Sequence, residues 1–185
     1  MIGTRFPHAP AIARCLLVAL ALGSATFARA TAMGDVELAV GATAPAIRES
    51  TAAGPFDSTT TGRPYVVEFF AVWCPHCQRM TAVLNALQQA DGTRVDVIAV
   101  PASPFGFDRT SVLTDADLRT FAQRFRTTYR IGFDGLYDAA FDYGVSSFPA
   151  IYVVGADRRI VAVENGEVPL TRLEADVDRA LAGGH

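Results

Sequence analysis

Residues 74–77 read Cys-Pro-His-Cys. Two thiols separated by two residues can close to a disulfide, open again, and trade that disulfide with another through a mixed intermediate. A structural disulfide stabilises mainly by closing a long loop in the unfolded chain, and this pair closes almost none. The third cysteine, Cys15, falls within residues 1–30, which read as a removable leader. Removing them leaves Cys74 and Cys77 alone, which points to redox chemistry rather than stapling. A metal pair or an incidental disulfide is the alternative.

The neighbouring residues suit that chemistry. Pro75 fits the first position of a helix, since it has no N–H to satisfy and its φ is preset. Cys74 is then the N-cap, with its sulfur facing free backbone N–H groups and the positive end of the helix dipole. Both favour the thiolate, which is the attacking species. Cys77 falls one turn later on the same face, placed to resolve a mixed disulfide. His76 either adds positive charge beside the thiolate or is a solvated imidazole. It is not a haem-attachment histidine, which would follow the second cysteine, where Gln78 stands.

Glu68 interrupts the apolar run 65–72, YVVEFFAV. A carboxyl in a strand buried on both faces is costly unless it is used or hydrogen-bonded. Six residues before Cys74, it could lie beneath the cysteines and move the proton of Cys77. An edge position facing water is the alternative. Phe148-Pro149 precedes the run AIYVV at 150–154, where proline as a strand's first residue is ordinary turn chemistry. Trp73 either packs over the cysteines or fills core beside them.

These side chains need elements to hold them. The run 65–72 reads as a central strand, and 75–89 as a helix with Met80, Val83, Leu84 and Leu87 on one face and Gly92 at its end. Residues 94–100 read as a second central strand, and 101–114 as a loop. Thr114 with Asp117 forms an N-cap pattern opening a helix to about Phe125. A strand over 52–57, a short helix over 136–143, strands at 150–154 and 160–163, and a last helix opened by a Thr171/Glu174 capping box complete the set. The alternation predicts an α/β fold with a central mixed sheet and helices on both faces.

The 185 residues suffice for one core of ordinary size. Residues 1–30 hold Arg5, Arg14 and Arg29, no Asp or Glu, the apolar run CLLVALALGSA, and then Ala28-Arg29-Ala30. That is the three-part layout of a secretory signal, expected to be cleaved after Ala30, with an uncleaved anchor as the alternative. The remainder keeps 13 of the 16 basic residues against all 19 acidic ones, net −6. A body this acidic is a poor holder of a phosphate backbone, so nucleic acid is not an expected partner.

EFFAVWCPHC followed by a helix, with YGVSSFPAIYVV about seventy residues later, resembles the thioredoxin superfamily over residues 36–184. The segments RVDVIAV, DLRTFAQRF and RIGFDGLYDAAFDYGV resemble its exported TlpA/ResA-like branch, whereas Pro75-His76 after Glu68-Phe69-Phe70 resembles DsbA-type oxidases. The resemblance implies a thioredoxin-like fold and a periplasmic thiol–disulfide oxidoreductase acting on exported protein thiols and disulfides. A membrane electron donor or acceptor would be its redox partner. It also implies that Pro149 is the cis-proline that lies against the cysteines and, with Phe148 and Trp73, meets substrate. Glu68 would be the buried acid of thioredoxins. No cofactor and no metal is expected, and the chain is expected to be a monomer.

A copper chaperone on the same fold is the rival reading. It would use a wider cysteine spacing and a distant histidine, and none of His8, His76 and His185 is so placed. A peroxidase would carry threonine where Ala71 stands. The helix N-terminus and His76 together predict a pair more oxidising than thioredoxin by at least ~60 mV, about a hundredfold for two electrons.

Overall fold

The computed structural model describes residues 37–133 and 137–183. The expected leader with Cys15, and His8, Leu136 and His185, lie outside the described residues. The lead-in forms a two-stranded antiparallel pair, β1 (Arg48–Glu49) and β2 (Phe56–Asp57). The single strand expected over 52–57 is therefore mostly absent. Thr51 folds the chain into a turn by donating to the Gly54 carbonyl at 2.6 Å and accepting the Ala53 N–H at 3.2 Å. Gly54 sits at φ 97°, a region glycine enters freely.

The other elements follow as β3 (Tyr65–Phe70), α1 (Pro75–Asp91), β4 (Asp96–Pro101), α2 (Asp115–Phe125), β5 (Arg130–Ile131), α3 (Asp138–Asp142), β6 (Ala150–Val154), β7 (Ile160–Asn165) and α4 (Leu170–Leu181). The main sheet runs β5-β4-β3-β6-β7, so β3 is central. The β3–β4 and β4–β5 pairs are parallel; β3–β6 and β6–β7 are antiparallel. All six residues of β3 are buried, which is why it reads as an apolar run broken only by Glu68.

The pleat sends alternate residues to opposite faces. On one face Val66, Phe70, Val97, Ala99, Ile151 and Val153 pack under α1, α2 and α4, with Met80, Leu84, Leu87 and Val177 almost wholly withdrawn from water. Each such side chain contributes ~1.5–3 kcal/mol, which holds the helices that carry the cysteines. On the other face Tyr65, Val67, Phe69 and Tyr152 pack with α3 and the lead-in residues Ala44 and Ile47. Helices thus cover both faces of a mixed sheet, as the alternation predicts.

Helix α2 has the expected cap: Thr114 Oγ1 accepts from the Asp117 N–H at 3.2 Å, and the Asp117 carboxylate accepts from the Thr114 N–H at 2.9 Å. The Thr171/Glu174 box does not form. Helix α4 starts earlier, with Pro169 as N-cap, because the Pro169 carbonyl already accepts from Arg172 and Leu173 at 3.0 and 3.2 Å. Helix α3 is shorter than expected, bounded by Tyr137 at φ 59° and Gly144 at φ 66°. Strand β5 was not read from the sequence.

The lead-in touches both margins of the sheet at their ends. At β7, Gly41 donates to the Ile160 carbonyl at 2.8 Å, Ile160 to that of Ala42 at 2.9 Å, and Ala44 to that of Arg158 at 2.8 Å. Beyond β5, Phe133 donates to the Ser50 carbonyl at 3.1 Å.

Candidate active site

Strand β3 ends at Phe70, and the chain turns once before α1. The Cys74 N–H donates to the Ala71 carbonyl at 3.0 Å, and the Cys74 carbonyl accepts the first helical bond from Gln78 at 3.0 Å. Cys74 is extended, at φ −77° and ψ 117°, with Pro75 directly after it. It is therefore the N-cap, as the proline predicts. Its sulfur is not the exposed group that an N-cap position suggests. Cys74 is 4% exposed, because the Phe148 carbonyl lies 3.8 Å from its Sγ. The Phe148–Pro149 bond is cis, and pairing of Phe69 with Ala150 holds this segment beside α1.

Cys77 is fully buried, and both cysteines are free thiols. Burial pushes the Cys77 thiol up strongly, and negative charge on Glu68 pushes it further. Glu68 is itself 0% exposed, paired on one side with Ala99 of β4 and on the other with Ile151 of β6. That settles the alternative of an edge carboxylate facing water. Neither of its carboxyl oxygens has a hydrogen-bond partner among the described residues, and burial raises its pKa well above the ordinary carboxylate range.

His76 lies outside this buried layer. Its Nδ1 is 2.6 Å from Glu167 Oε1 and 2.9 Å from Arg79 Nη2. A carboxylate only accepts, so the short contact puts the hydrogen on Nδ1, and Arg79 then bonds Glu167 alone. It does so as a fork, at 2.9 and 3.0 Å from Nε and 2.5 Å from Nη2. The Arg79 fork, and secondarily His76, hold the Glu167 carboxyl down to about 2. Sequence reasoning missed both partners. Arg79 stands one turn beyond His76 and was legible as its helical neighbour. Glu167 is 91 residues from His76, and no local signal points to it.

Trp73 is half-buried at the rim. Its Nε1 donates to Ser103 Oγ at 3.0 Å, and its ring meets that of Phe148 edge-on at 6.1 Å. The Arg109 guanidinium lies 4.8 Å over it. Arg109 arrives on a small hairpin inside the 101–114 loop, closed by Gly106 N–H to the Ser111 carbonyl at 2.9 Å and Leu113 N–H to that of Pro104 at 2.8 Å. The Asp108 carboxylate caps its turn by accepting from the N–H groups of Thr110 and Ser111. The seven residues singled out in the sequence thus gather around one end of α1: Cys74, Cys77, Glu68, His76, Trp73, Phe148 and Pro149. A surface cleft lined by Ala82, Asn85, Gln89 and Thr128 lies away from them. Disulfide exchange needs a contact surface rather than a pocket. Among the described residues no three His, Cys, Asp or Glu side chains gather as a metal site.

The chain matches the redoxin family over residues 39–181. It is 31% identical over 116 residues to the thiol:disulfide interchange protein CycY of Rhizobium leguminosarum bv. viciae, covering 63% of this chain and 57% of that one. It is 24% identical over 117 residues to the thioredoxin-like protein YneN of Bacillus subtilis, covering 63% and 65%. The chain thus spans less than two thirds of these relatives. A Chlorobium tepidum chain assigned as a DsbE thiol:disulfide interchange protein has a similar fold, with a TM-score of 0.67 at 21% identity over 78% of this chain and 99% of that one.

Proposed function

The chain belongs to the redoxin family, and from that premise we propose that it is an exported thiol–disulfide oxidoreductase exchanging disulfides with protein substrates through Cys74 and Cys77. The asymmetry of the pair carries the reading. Cys74 caps a helix at the rim beside the Phe148 carbonyl, whereas Cys77 is sealed above the buried carboxyl of Glu68.

In the reducing direction the Cys74 thiolate attacks one sulfur of a substrate disulfide. The other substrate sulfur leaves as a thiolate and takes a proton from solvent. Cys77 then gives its proton to Glu68 and attacks Cys74 Sγ, which frees the second substrate sulfur and closes the Cys74–Cys77 disulfide. Two electrons pass to the substrate, and oxidation of a substrate dithiol is the reverse. Charge on Glu68 opposes ionisation of Cys77, so the thiol gives up its proton as the carboxylate takes one. The substrate backbone lies along Phe148 and Pro149 with Trp73 as a wall, and His76 tunes the charge beside Cys74.

Residues 1–30 serve as the export signal and 36–184 as the working body, placed in the periplasm. Exported protein thiols are the clients, and a membrane partner resets the pair. No helix among the described residues is long and apolar enough to cross a membrane. Insulin reduction by the mature protein tests the activity. Turnover that disappears in Cys74→Ser supports it, and an inactive wild type overturns it. N-terminal sequencing of exported material, expected to start near Thr31, tests the leader.

A further inference from the structure

Two guanidinium groups stand at the rim around Cys74, and only one of them is answered by an acid. Arg79 grips Glu167 as a fork. Arg109 is exposed and lies 4.8 Å over the Trp73 ring. Among the described residues no carboxylate pairs with it, and none of its side-chain N–H groups meets an acceptor. The attraction of a cation to an aromatic ring holds a guanidinium in place without using up any of its five N–H donors. Those donors remain available to an anion that comes from outside the chain.

The hairpin that carries Arg109 is fixed to Trp73 at its base as well as its tip. At the base Ser103 Oγ accepts from Trp73 Nε1 at 3.0 Å and from the Phe105 N–H at 3.4 Å. At the tip Arg109 is held at φ 61°, in the left-handed region that a residue with a side chain enters at a cost. The turn keeps it there. The Arg109 N–H donates to the Gly106 carbonyl at 3.1 Å. The Asp108 carboxylate accepts at 2.8 Å from each of the Thr110 N–H, the Ser111 N–H and the Ser111 hydroxyl. The acid adjacent to Arg109 is therefore engaged by the turn and does not pair with the guanidinium. Phe105 and Val112 bridge across the same hairpin, and both are exposed. They offer apolar surface for a docked segment to cover.

We propose that Arg109 is a specificity residue: it takes a carboxylate on the client segment that lies beside Trp73, so Cys74 meets disulfides flanked by acidic residues in preference to others. This rests on the reading of Cys74 as the nucleophile toward client disulfides, and it adds the class of client. Trp73 directly precedes Cys74, and its ring meets that of Phe148, whose carbonyl is 3.8 Å from Cys74 Sγ. A carboxylate bound over Trp73 therefore belongs to a residue a few positions from the client cysteine, at ~3.3–3.6 Å of extended chain per residue. The planar fork of a guanidinium matches the two oxygens of a carboxylate. The body beyond residue 30 carries net −6 and as a whole opposes an acidic segment. An unanswered cation beside the nucleophile thus also sets where such a segment docks and which way round.

The test uses the mature, reduced protein and three peptides, each closed by one disulfide and alike except for the residues flanking the cysteines. These are Asp and Glu in the first, Asn and Gln in the second, and Lys in the third. At low salt the wild type is expected to reduce the acidic peptide about fivefold faster than the amide peptide, the upper range of an exposed charge pair. The preference should fall to within about twofold at about 1 M salt, where the screening length is about 3 Å. Arg109→Gln should bring the rates for these two peptides together, and Arg109→Lys should keep part of the difference. Arg109→Glu should turn the preference toward the Lys peptide, which a residue that merely covers Trp73 could not do. No preference in the wild type, or one that survives unchanged in Arg109→Gln, overturns the assignment and leaves Cys74 as the nucleophile. A wild type that reduces none of the three peptides overturns the oxidoreductase reading itself.

Discussion

Glu68 lies beneath Cys77 in a layer from which water is excluded, and charge on the carboxyl raises the thiol's pKa. Two acids that oppose each other's ionisation make a proton store suited to the step of the proposed disulfide exchange that needs a proton removed. Cys74, at the mouth of the helix, is outside that store.

The first prediction follows from this division of labour. At mildly acidic pH iodoacetamide should modify Cys74 well before Cys77, by at least about tenfold, because the thiolate reacts and burial disfavours it at Cys77. Cys77→Ser should accumulate mixed disulfides through Cys74, and Cys74→Ser should form none. Peptide mass mapping after a timed alkylation reads this directly, and first modification of Cys77 would reverse the assignment.

Glu68 should also make the folded protein sensitive to pH. Its folded pKa is raised above the unfolded value by burial. The folded state then holds a proton that the unfolded chain releases, so stability falls as pH rises from the ordinary carboxylate range toward the raised value. Over that window each step of one pH unit costs the fold ~1.4 kcal/mol. Glu68→Gln removes the effect. Thermal melts should show the variant gaining on the wild type at pH 7 relative to pH 4, and equal differences at both pH values would show that the carboxyl is not buried in solution.

His76 should tune the redox potential only weakly while Glu167 is present. The imidazole shares its hydrogen with a carboxylate that Arg79 also grips, so its charge is largely answered before it reaches Cys74. Exposed ion pairs are worth ~0–1 kcal/mol. His76→Ala should therefore lower the potential by no more than ~20 mV, since ~30 mV is about 1.4 kcal/mol. In a Glu167→Gln background the same substitution should lower it further. Equal changes in the two backgrounds would mean that the pair does not act as a unit.

The potential itself should lie above that of thioredoxin by ~60 mV or more, given a nucleophile at a helix N-terminus. Equilibration against a glutathione buffer, followed by Trp73 emission, measures it. Trp73 is a suitable reporter because its ring contacts Phe148, whose carbonyl faces Cys74. A value at or below thioredoxin would falsify the oxidising assignment.

Much of this site was legible because its parts are local. Cys74, Pro75 and Cys77 belong to one helical turn, and Glu68 stands out as the one charge in an apolar strand. The Thr114 cap was legible for the same reason. What escaped depends on distant segments or on competition. Glu167 reaches His76 only once β7 has turned back toward α1. Strand β5, only two residues long, is too short to show a period. Thr171 and Glu174 form a sound local pattern that lost to Pro169, whose carbonyl begins the helix first. The strand expected over 52–57 lost to the Thr51 turn.

An enzyme that handles partly unfolded clients risks capturing them at its own sheet, since an open edge binds any extended chain. Here the lead-in takes up part of that place. Gly41, Ala42 and Ala44 bond the chain at Arg158 and Ile160, where β7 begins, and Ser50 bonds Phe133 just beyond β5. A client strand therefore meets backbone already engaged by the protein itself. If the chain exchanges disulfides as proposed, those two corners of the sheet are closed to an extended client, which leaves the lip around Trp73 and Phe148 as the place where it would be met.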